Sequence, residues 1–507
     1  MGSIGLRNVG VIATTQLFSN LNLVIGDGDR IGLIAGNGGG KTTLLRCLAG
    51  TAEVTEGEII RSRGLRIGFV EQDVPQTLLD LTLYEAVRRA LPADEREGES
   101  WRVDVVLDEF ETPAVLRERP LRALSGGWQR LALIARIWVN QPDALILDEP
   151  TNHLDLAKLF QLEAWINGAA HNIPVVIASH DREFLDATTN RTLFLRPGTS
   201  HFFAHPFSRA RQLLADVDAA AEVTQEKQLK EAKRLRRNAN ELKNIGINSG
   251  SDLLTVKAKY LRQRSEATEA AARPLHQERA GTIRLTNSGT HAKVLIDIDG
   301  LAVTTPKGDP LFKIGKLHVF QQDRAVILGR NGAGKSQLVR LLRKAAAEPG
   351  SVAGIKVSPT VVTGYSDQDM SQLPLDISPL EFITGSFRLG DRRSKALLAG
   401  AGFAAEKQEK RIAELSFGQR ARLGLLALRL TEPNFYLLDE PTNHVDIAGQ
   451  EALESEILAN EACSILVSHD RRLVRSVGTR FLLIEGSKLI EIDSPEPFFA
   501  RMAAERD

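Results

Sequence analysis

Short, unbroken runs of apolar residues recur along the chain, and each has the length of a single strand. Two of them, in RIGLIAG (30–36) and AVILGR (325–330), are each followed by a glycine-rich turn and an amphipathic segment with helical spacing. Four others lie in ALILDEP, IPVVIASH, FYLLDEP and CSILVSH. Continuous apolar runs of this length are typical of parallel strands that are buried on both faces. Their alternation with helical segments predicts an α/β fold.

The same motifs occur twice and in the same order. GNGGGKT matches GRNGAGKS, LSGGW matches LSFGQ, LILDEPTNHLD matches YLLDEPTNHVD, and ASHD matches VSHD. Corresponding positions are separated by 289 to 294 residues throughout. Conserved order and spacing of this kind predict a duplicated domain. We therefore expect a first domain at 1–205, a linker at 206–280 and a second domain at 281–507.

The two glycine-rich turns have the composition of a phosphate-binding P-loop. Glycines let successive N–H groups curl around a phosphate, the lysine reaches the β- and γ-phosphate oxygens, and the hydroxyl that follows binds Mg²⁺. Ala35 replaces the leading glycine of the first loop, which is acceptable if Ala35 keeps a negative φ. An isolated loop of this kind can be an ordinary turn, but both loops are followed by an acidic strand. The expected nucleotide-binding residues are Gly36, Asn37, Gly38, Gly39, Gly40, Lys41, Thr42 and Thr43 in the first copy, and Gly329, Arg330, Asn331, Gly332, Ala333, Gly334, Lys335 and Ser336 in the second.

An acidic pair ends one apolar run in each copy, Asp148-Glu149 in the first and Asp439-Glu440 in the second. An aspartate at the end of a buried strand beside a P-loop holds Mg²⁺, and the glutamate after it is placed to polarise the attacking water. The alternative role is to cap the next helix, whose N-terminus favours negative charge. Because the pair occurs twice, each time before Pro-Thr-Asn-His, we expect two metal ligands and two catalytic bases. The expected metal ligands also include the hydroxyls of Thr42 and Ser336.

A histidine and a glutamine complete each set. His180 and His469 each end an apolar run and precede an aspartate. A single histidine is more often structural, but this position in both copies allows a hydrogen bond to the γ-phosphate. Gln72 and Gln368 follow the loop lysines by 31 and 33 residues, and such an amide can bind Mg²⁺ and the water, although most glutamines are surface residues.

This order of motifs resembles the ATP-binding cassette (ABC) superfamily over nearly all of both domains. The resemblance implies that the two cassettes meet head to tail, with each ATP between one P-loop and the Ser-Gly-Gly signature of the other cassette. The signature residues that would face the phosphates at Lys335 are Ser125, Gly126 and Gly127. Those that would face the phosphates at Lys41 are Ser416, Phe417 and Gly418, with Phe417 in place of the usual glycine.

Within the superfamily the chain resembles the ABC-F branch. It has two cassettes without a membrane domain, Trp128 at the end of the first signature, PTNH[L/V]D after both acidic strands, and a charged linker. The resemblance implies ATP hydrolysis and action on the ribosome, in translation or antibiotic resistance. It also implies that the linker at 206–280 is a helical hairpin that reaches ribosomal RNA and transfer RNA. We find no aromatic residue at the position that usually stacks on adenine, so base selectivity is left open.

The linker itself has the pattern of a helical hairpin. From Arg211 to Asn244 it is rich in helix-forming residues and contains neither proline nor glycine. The segment 246–250 predicts a break, and a second helix is expected to run to about Arg273. Residues 225–264 contain eleven Lys/Arg and four Asp/Glu, although the whole chain has 64 of each. This excess suits contacts with RNA phosphates, and the alternative is a solvated hairpin that only joins the domains.

Composition limits the classes of function that remain. The chain lacks a run of about 18 apolar residues, so we expect no membrane-spanning segment. Cys47 and Cys463 lie far apart, which argues against a zinc site and favours a reducing compartment. We therefore predict a cytoplasmic ABC-F ATPase that uses ATP and Mg²⁺. One alternative is the ATP-hydrolysing subunit of a membrane transporter with separate membrane subunits. Another is a DNA-repair or chromosome ATPase, although these usually carry zinc modules or very long coiled coils.

Overall fold

A computed structural model describes residues 2–13, 15–152, 154–272, 284–367, 370–443, 445–461 and 463–505. The chain forms two α/β halves of similar architecture, and a pair of long helices joins them. The predicted fold class is therefore confirmed.

A six-stranded sheet forms the centre of the first half. Its order is β5-β6-β7-β3-β8-β9, and a separate antiparallel sheet has the order β2-β1-β4. The first five strands in this order are parallel to one another, and β9 is antiparallel to β8. Every residue of β6 is buried, as its continuous apolar run predicts. The strands are β1 (Ile4–Ile12), β2 (Gln16–Ile25), β3 (Arg30–Ile34), β4 (Glu56–Arg61), β5 (Ile67–Val70), β6 (Ala144–Asp148), β7 (Val175–Ala178), β8 (Arg191–Phe194) and β9 (His201–Phe203).

The helices of the first half begin at recognisable signals. The first helix follows the glycine-rich loop directly, and two later helices are capped by aspartates. Asp155 accepts a hydrogen bond from the Lys158 N–H at 2.9 Å, and Asp181 accepts one from the Phe184 N–H at 2.8 Å. The helices are α1 (Lys41–Ala49), α2 (Leu83–Arg88), α3 (Trp101–Glu109), α4 (Ala114–Arg117), α5 (Gly126–Trp138), α6 (Leu156–Asn167) and α7 (Arg182–Thr188).

The linker forms the predicted hairpin, but its helices have different bounds from those expected. α8 runs from Phe207 to Ser249, and α9 runs from Asp252 to Ala271. The prediction that 246–250 interrupts the helix was wrong for 246–249. One glycine costs a helix about 1 kcal/mol, which does not end a long helix. The chain reverses instead at Gly250, whose φ of 65° is left-handed.

The base of α8 is anchored in the first half. Phe207, Ala210 and Leu214 are buried in a cluster that also contains Phe194 and Ile447, a residue of the second half. Burial of this apolar turn explains why the helix starts before the expected Arg211. The base of the hairpin therefore touches both halves.

The second half repeats the first with one continuous nine-stranded sheet, β13-β10-β11-β18-β17-β12-β16-β15-β14. Its parallel strands β14, β15, β16, β12 and β17 correspond in order to β5, β6, β7, β3 and β8. The strands are β10 (Val294–Thr304), β11 (Pro310–Phe320), β12 (Arg324–Leu328), β13 (Ile355–Val357), β14 (Thr363–Ser366), β15 (Phe435–Asp439), β16 (Cys463–Val467), β17 (Arg480–Glu485) and β18 (Lys488–Ile492). The helices are α10 (Lys335–Ala347), α11 (Pro379–Phe387), α12 (Asp391–Gly400), α13 (Ala405–Gln408), α14 (Phe417–Leu430), α15 (Ile447–Asn460), α16 (Arg471–Val477) and α17 (Glu496–Ala504).

Small residues pack the two arms of the hairpin together. Ala232 and Ala239 of α8 and Ala258 and Ser265 of α9 are buried, and the Ser265 hydroxyl donates a hydrogen bond to the Ala232 carbonyl at 2.7 Å. We expect Ala239→Leu to overpack this contact and destabilise the hairpin by about 1–3 kcal/mol. Limited proteolysis should then cut the linker sooner. Ala220→Leu, at an exposed position on the same helix, is the matched control. Equal cleavage rates in the two variants would contradict this packing.

Candidate nucleotide-binding sites

Each P-loop joins a central parallel strand to the helix that follows it, β3 to α1 and β12 to α10. The last glycine of each loop is left-handed, with φ of 93° at Gly40 and 102° at Gly334. A Cβ on Gly334 would also lie 2.9 Å from the Phe312 ring, so a side chain is excluded there. Ala35 is not among the residues with positive φ, so the loop accommodates alanine at this position.

The acidic pairs lie at the carboxyl ends of β6 and β15, next to the P-loops. Asp148, Glu149, Asp439 and Glu440 are all buried. Both glutamates are left-handed, with φ of 48° at Glu149 and 51° at Glu440. Their N–H groups donate to the last carbonyls of the neighbouring strands, each at 2.8 Å. A non-glycine residue in this region costs about 1–3 kcal/mol, and strain repeated at one position of both halves indicates a functional site.

At the first P-loop the lysine lies among the predicted catalytic groups. Lys41 Nζ is 2.7 Å from His180 Nε2 and 3.6 Å from Glu149 Oε1, and it donates to the Ala35 carbonyl at 3.2 Å. His180 Nε2 lies 3.2 Å from the same Glu149 oxygen. The structure therefore brings together three residues that are far apart in the sequence.

At the second P-loop the lysine is directed towards its own loop. Lys335 Nζ donates to the carbonyls of Gly329 at 2.8 Å and Arg330 at 3.0 Å. The backbone N–H of His469 donates to Glu440 Oε2 at 3.1 Å, and the ring atom His469 Nε2 lies 3.4 Å from Glu440 Oε1. The two sites thus contain corresponding residues, and both lysines donate to the carbonyl six positions before them. Their other partners differ, since Lys41 lies beside its histidine and Lys335 donates to the Arg330 carbonyl.

Burial dominates the electrostatics of both sites. It raises the pKa of Glu149 to about 7, and Lys41 opposes that rise. It also raises the pKa of Glu440, against the effect of Lys335. Burial and the charge of Lys335 lower the pKa of His469 to about 3, so this imidazole is neutral at physiological pH.

The predicted metal ligands suit a hard cation. Burial raises the pKa of Asp439, and the hydroxyl of Ser336 opposes that effect. Asp439 Oδ1 is buried without a hydrogen-bond partner among the described residues. In the first half, burial likewise raises the pKa of Asp148, and the hydrogen bond from the Thr42 hydroxyl opposes that rise. A buried carboxylate beside a hydroxyl, at the start of a P-loop helix, offers the oxygen ligands that Mg²⁺ prefers.

The two predicted glutamines have different outcomes. Gln72 is exposed, and its backbone carbonyl, not its side-chain amide, accepts a hydrogen bond from Arg130 at 3.0 Å. Arg130 also donates to the carbonyls of Glu71 and Asp148, so it ties this loop to the acidic strand. The sequence reasoning did not identify Arg130, a buried residue of the helix that follows the first signature. Gln368 lies outside the described residues.

A cavity of about 580 Å³ lies between the two halves at the second P-loop. Its walls include Lys335 and Glu440 from the second half and Gly126 and His180 from the first. The first signature and the second P-loop therefore line the same space. Asp155 also lines the cavity, although the sequence reasoning gave it no role. Its recurrence as the last residue of PTNHLD, matched by Asp446 in PTNHVD, was the available signal.

The first P-loop also contacts the opposite half. Its Asn37 N–H donates to Asp446 Oδ2 at 3.0 Å. In the second signature, Ser416 caps the helix that follows it: the Ser416 hydroxyl accepts a hydrogen bond from the Gln419 N–H at 3.3 Å. Phe417 packs against an apolar cluster of the second half that contains Leu415.

Comparison with known proteins agrees with two related halves. The profile of the family described as ABC transporter matches residues 18–152 and 312–443, one segment in each half. Within the described ranges, no helix combines the length and hydropathy that are needed to cross a bilayer.

Several curated proteins resemble nearly the whole chain. "ABC transporter F family member 5" of Arabidopsis thaliana is 27% identical, over 90% of this chain and 71% of that protein. "Putative ATP-binding protein YdiF" of Bacillus subtilis is 27% identical, over 94% and 78%. "Ribosome protection protein VmlR" of Bacillus subtilis is 28% identical, over 96% and 87%.

Solved structures share the fold across both halves. An archaeal ribosome recycling factor, aABCE1, in complex with the ribosomal stalk protein aP1, has a TM-score of 0.64 at 18% identity, and the match covers 98% of this chain and 92% of that one. A structure described as RNase-L Inhibitor has a TM-score of 0.63 at 18% identity, with 98% and 93% covered. At this identity the likeness concerns the fold alone.

Proposed function

Because the chain belongs to the ABC transporter family, as a tandem-cassette protein of its ABC-F branch, we propose that it hydrolyses ATP at two composite sites and acts on the ribosome. The observation that carries the first part is the cavity at Lys335, which Gly126 of the other half also lines. A P-loop and a signature from different cassettes can then enclose one nucleotide. We assign the cassettes to 1–205 and 281–507 and the ribosome-reaching linker to 206–280.

The roles of the site residues follow from their positions. The P-loop amides and lysine bind the phosphates, and the signature of the opposite cassette closes over them. His180 and His469 hydrogen-bond the γ-phosphate. Each glutamate lies beside its histidine and accepts a proton from the attacking water.

We assign Mg²⁺ to the acidic strands. Asp148 with Thr42, and Asp439 with Ser336, would hold it. When bound, Mg²⁺ neutralises charge on the phosphate oxygens. Gln72 and Gln368 complete the proposed ligand sets.

The two sites differ in composition. Ala35 and Phe417 both belong to the site of the first P-loop, whereas the other site has glycine at both places. Both lysines donate to the equivalent loop carbonyl, but Lys41 also contacts its histidine, whereas Lys335 donates to a second loop carbonyl. These differences support unequal turnover.

The linker supports the ribosomal part of the proposal. At about 1.5 Å per residue, the 43 residues of α8 form an arm long enough to reach well beyond the cassettes. The guanidinium-bearing side chains of Arg234, Arg237 and Arg262 are 65%, 76% and 62% exposed. Exposed cations on a projecting arm suit a phosphate backbone, and the relative VmlR is named as a ribosome protection protein.

Apolar residues at the hairpin tip favour a partner over a simple tether. Ile247, Leu253 and Tyr260 are 63%, 77% and 63% exposed, so they do not form a buried seam between the arms. Grouped apolar residues that water would otherwise surround indicate a surface that a partner covers. We propose that this tip enters a site near transfer RNA, in a cytoplasmic protein.

The first prediction concerns hydrolysis. Glu149→Gln with Glu440→Gln removes both proposed bases while keeping their size, so steady-state ATP hydrolysis should fall by about 100-fold or more. Bound ATP should persist in filter-binding assays, because the P-loops are intact. Undiminished hydrolysis by the double variant would contradict the assignment of the glutamates.

The second prediction concerns the inequality of the sites. Glu149→Gln and Glu440→Gln, made singly, should leave different residual rates, because each disables a different site. Changing Phe417 to Gly should reduce that difference by making the two signatures alike. Identical single-variant rates would mean that Ala35 and Phe417 have no kinetic consequence.

The third prediction separates the arms of the hairpin from its tip. Changing Arg234, Arg236 and Arg237 to Glu should weaken cosedimentation with ribosomes, and each lost phosphate contact should reduce the log–log salt slope by about 0.7–0.9. Changing Ile247, Leu253 and Val256 to Ser should spare binding but abolish the effect on translation in a cell-free system. The matched control reverses Lys407, Lys410 and Arg411, three exposed basic residues of the second cassette. Normal binding and translation by both linker variants would reduce the linker to a tether.

A further inference from the structure

The histidine of each site belongs to a His-Asp-Arg tripeptide that also reaches the opposite cassette. In the first cassette the residues are His180, Asp181 and Arg182, and in the second they are His469, Asp470 and Arg471. Each aspartate caps the helix that starts at its arginine: Asp181 accepts from the Phe184 N–H at 2.8 Å and Asp470 accepts from the Leu473 N–H at 2.9 Å. The histidine and the arginine are therefore held on one rigid turn.

The arginine of the first cassette crosses to the second. Arg182 Nη1 donates to Glu454 at 2.9 Å, and its Nη2 donates to Asp470 Oδ2 at 3.3 Å. Its side chain is only 1% exposed. Asp470 thus uses one oxygen to cap its helix and the other to bind an arginine of the opposite cassette.

The arginine of the second cassette makes the reciprocal contacts. Arg471 Nη2 donates to Glu163 Oε1 at 2.5 Å and lies 3.8 Å from Asp181 Oδ1, and its Nε is 3.3 Å from Glu183. Its side chain is 5% exposed. Each histidine-bearing turn therefore has an arginine from the other half beside its aspartate.

The glutamate contacts correspond in the two directions, whereas the arginine–aspartate distances differ, 3.3 Å from Arg182 to Asp470 and 3.8 Å from Arg471 to Asp181. Glu163 and Glu454 occupy equivalent positions in α6 and α15, with the same sequence offset as Asp148 and Asp439. The duplicated chain has thus kept a self-complementary contact like that of a two-fold dimer. Because a buried charge is unfavourable unless it is paired, opening the interface would expose or unpair both arginines together.

The turn also touches the proposed catalytic glutamate. The backbone N–H of His469 donates to Glu440 Oε2 at 3.1 Å, and His469 directly precedes the aspartate that Arg182 binds. A continuous series of contacts therefore runs from the first cassette through Arg182, Asp470 and His469 to Glu440. At the other site, His180 contacts Glu149 and Asp181 lies beside Arg471.

We propose that Arg182 and Arg471 are positioning residues that act in trans, each holding the histidine-bearing turn of the opposite cassette in its hydrolytic geometry. Arg182 serves the site of Lys335, and Arg471 serves the site of Lys41. The proposal rests on the proposed ATP hydrolysis. It also gives a physical route by which one cassette affects hydrolysis at the site of the other. A contact that only glued the cassettes together would affect both sites equally, whereas a positioning role predicts a crossed pattern.

The test combines each arginine variant with a single disabled site. Glu149→Gln leaves turnover to the Lys335 site, and Glu440→Gln leaves it to the Lys41 site. With Glu149→Gln, Arg182→Met should lower kcat by about tenfold or more while KM for ATP changes less than about threefold. With Glu440→Gln, the same substitution should have a much smaller effect. Arg471→Met should show the opposite pattern, and equal losses in both backgrounds would overturn the proposal.

Two further variants guard against simple misfolding. Arg182→Lys keeps the charge and should recover part of the lost kcat. Asp470→Asn keeps a capping oxygen but weakens the contact with Arg182, so it should reproduce the kcat defect without a matching loss of thermal stability. The control is Arg7→Met, which breaks a surface pair with Glu58 and should leave kcat unchanged. Normal kcat in a folded Asp470→Asn variant would contradict a role for this contact.

A second measurement does not depend on hydrolysis. In the Glu149→Gln/Glu440→Gln protein, stopped-flow release of a fluorescent ATP analogue should become faster on adding Arg182→Met or Arg471→Met, since each closed site loses an anchor. Unchanged release rates would overturn the positioning role. If the unmodified protein releases no phosphate from ATP, the proposed function itself fails. If it hydrolyses ATP but the crossed kcat pattern is absent, only the positioning role fails.

Discussion

The two halves of the chain meet across a surface that buries charged side chains, and residues of both halves meet at each candidate site. Arg182 and Arg471 are each paired with carboxylates of the other half. A buried ion pair stabilises little on its own account, but losing one partner leaves a costly unpaired charge. Neither half could keep this surface dry alone. The same closure brings Gly126 to the cavity at Lys335 and Asp446 to the first P-loop.

Within each half, the parallel sheet brings the candidate site residues together at one edge. Central strands end where the P-loop begins, so a lysine, two acids and a histidine from distant segments converge there. The fold also holds Glu149 and Glu440 in a left-handed conformation that glutamate rarely adopts. Strand carbonyls fix both backbones, so the strain is maintained by the sheet. The candidate sites therefore depend on long-range packing, whereas the glycine-rich loops are encoded locally.

That distinction explains what the sequence predicted. The fold class and the motif order follow from apolar runs, glycines and a repeat, all of which are local patterns. The crossing of Arg182 to Glu454 joins residues 272 apart, and no spacing rule indicates it. Arg130 was missed for the same reason, since its partners are backbone carbonyls of distant segments. The end of α8 was misjudged because one glycine was given more weight than the continuing helix.

The composite nature of the sites is most directly tested by an experimental structure of the Glu149→Gln/Glu440→Gln protein with Mg²⁺ and ATP. We expect two nucleotides, each in contact with residues of both cassettes. At Lys335 the γ-phosphate should face the helix that begins at Gly126, and at Lys41 it should face the helix that begins at Phe417. The composite sites would be contradicted by nucleotides that contact only one cassette, with the opposite signature turned away.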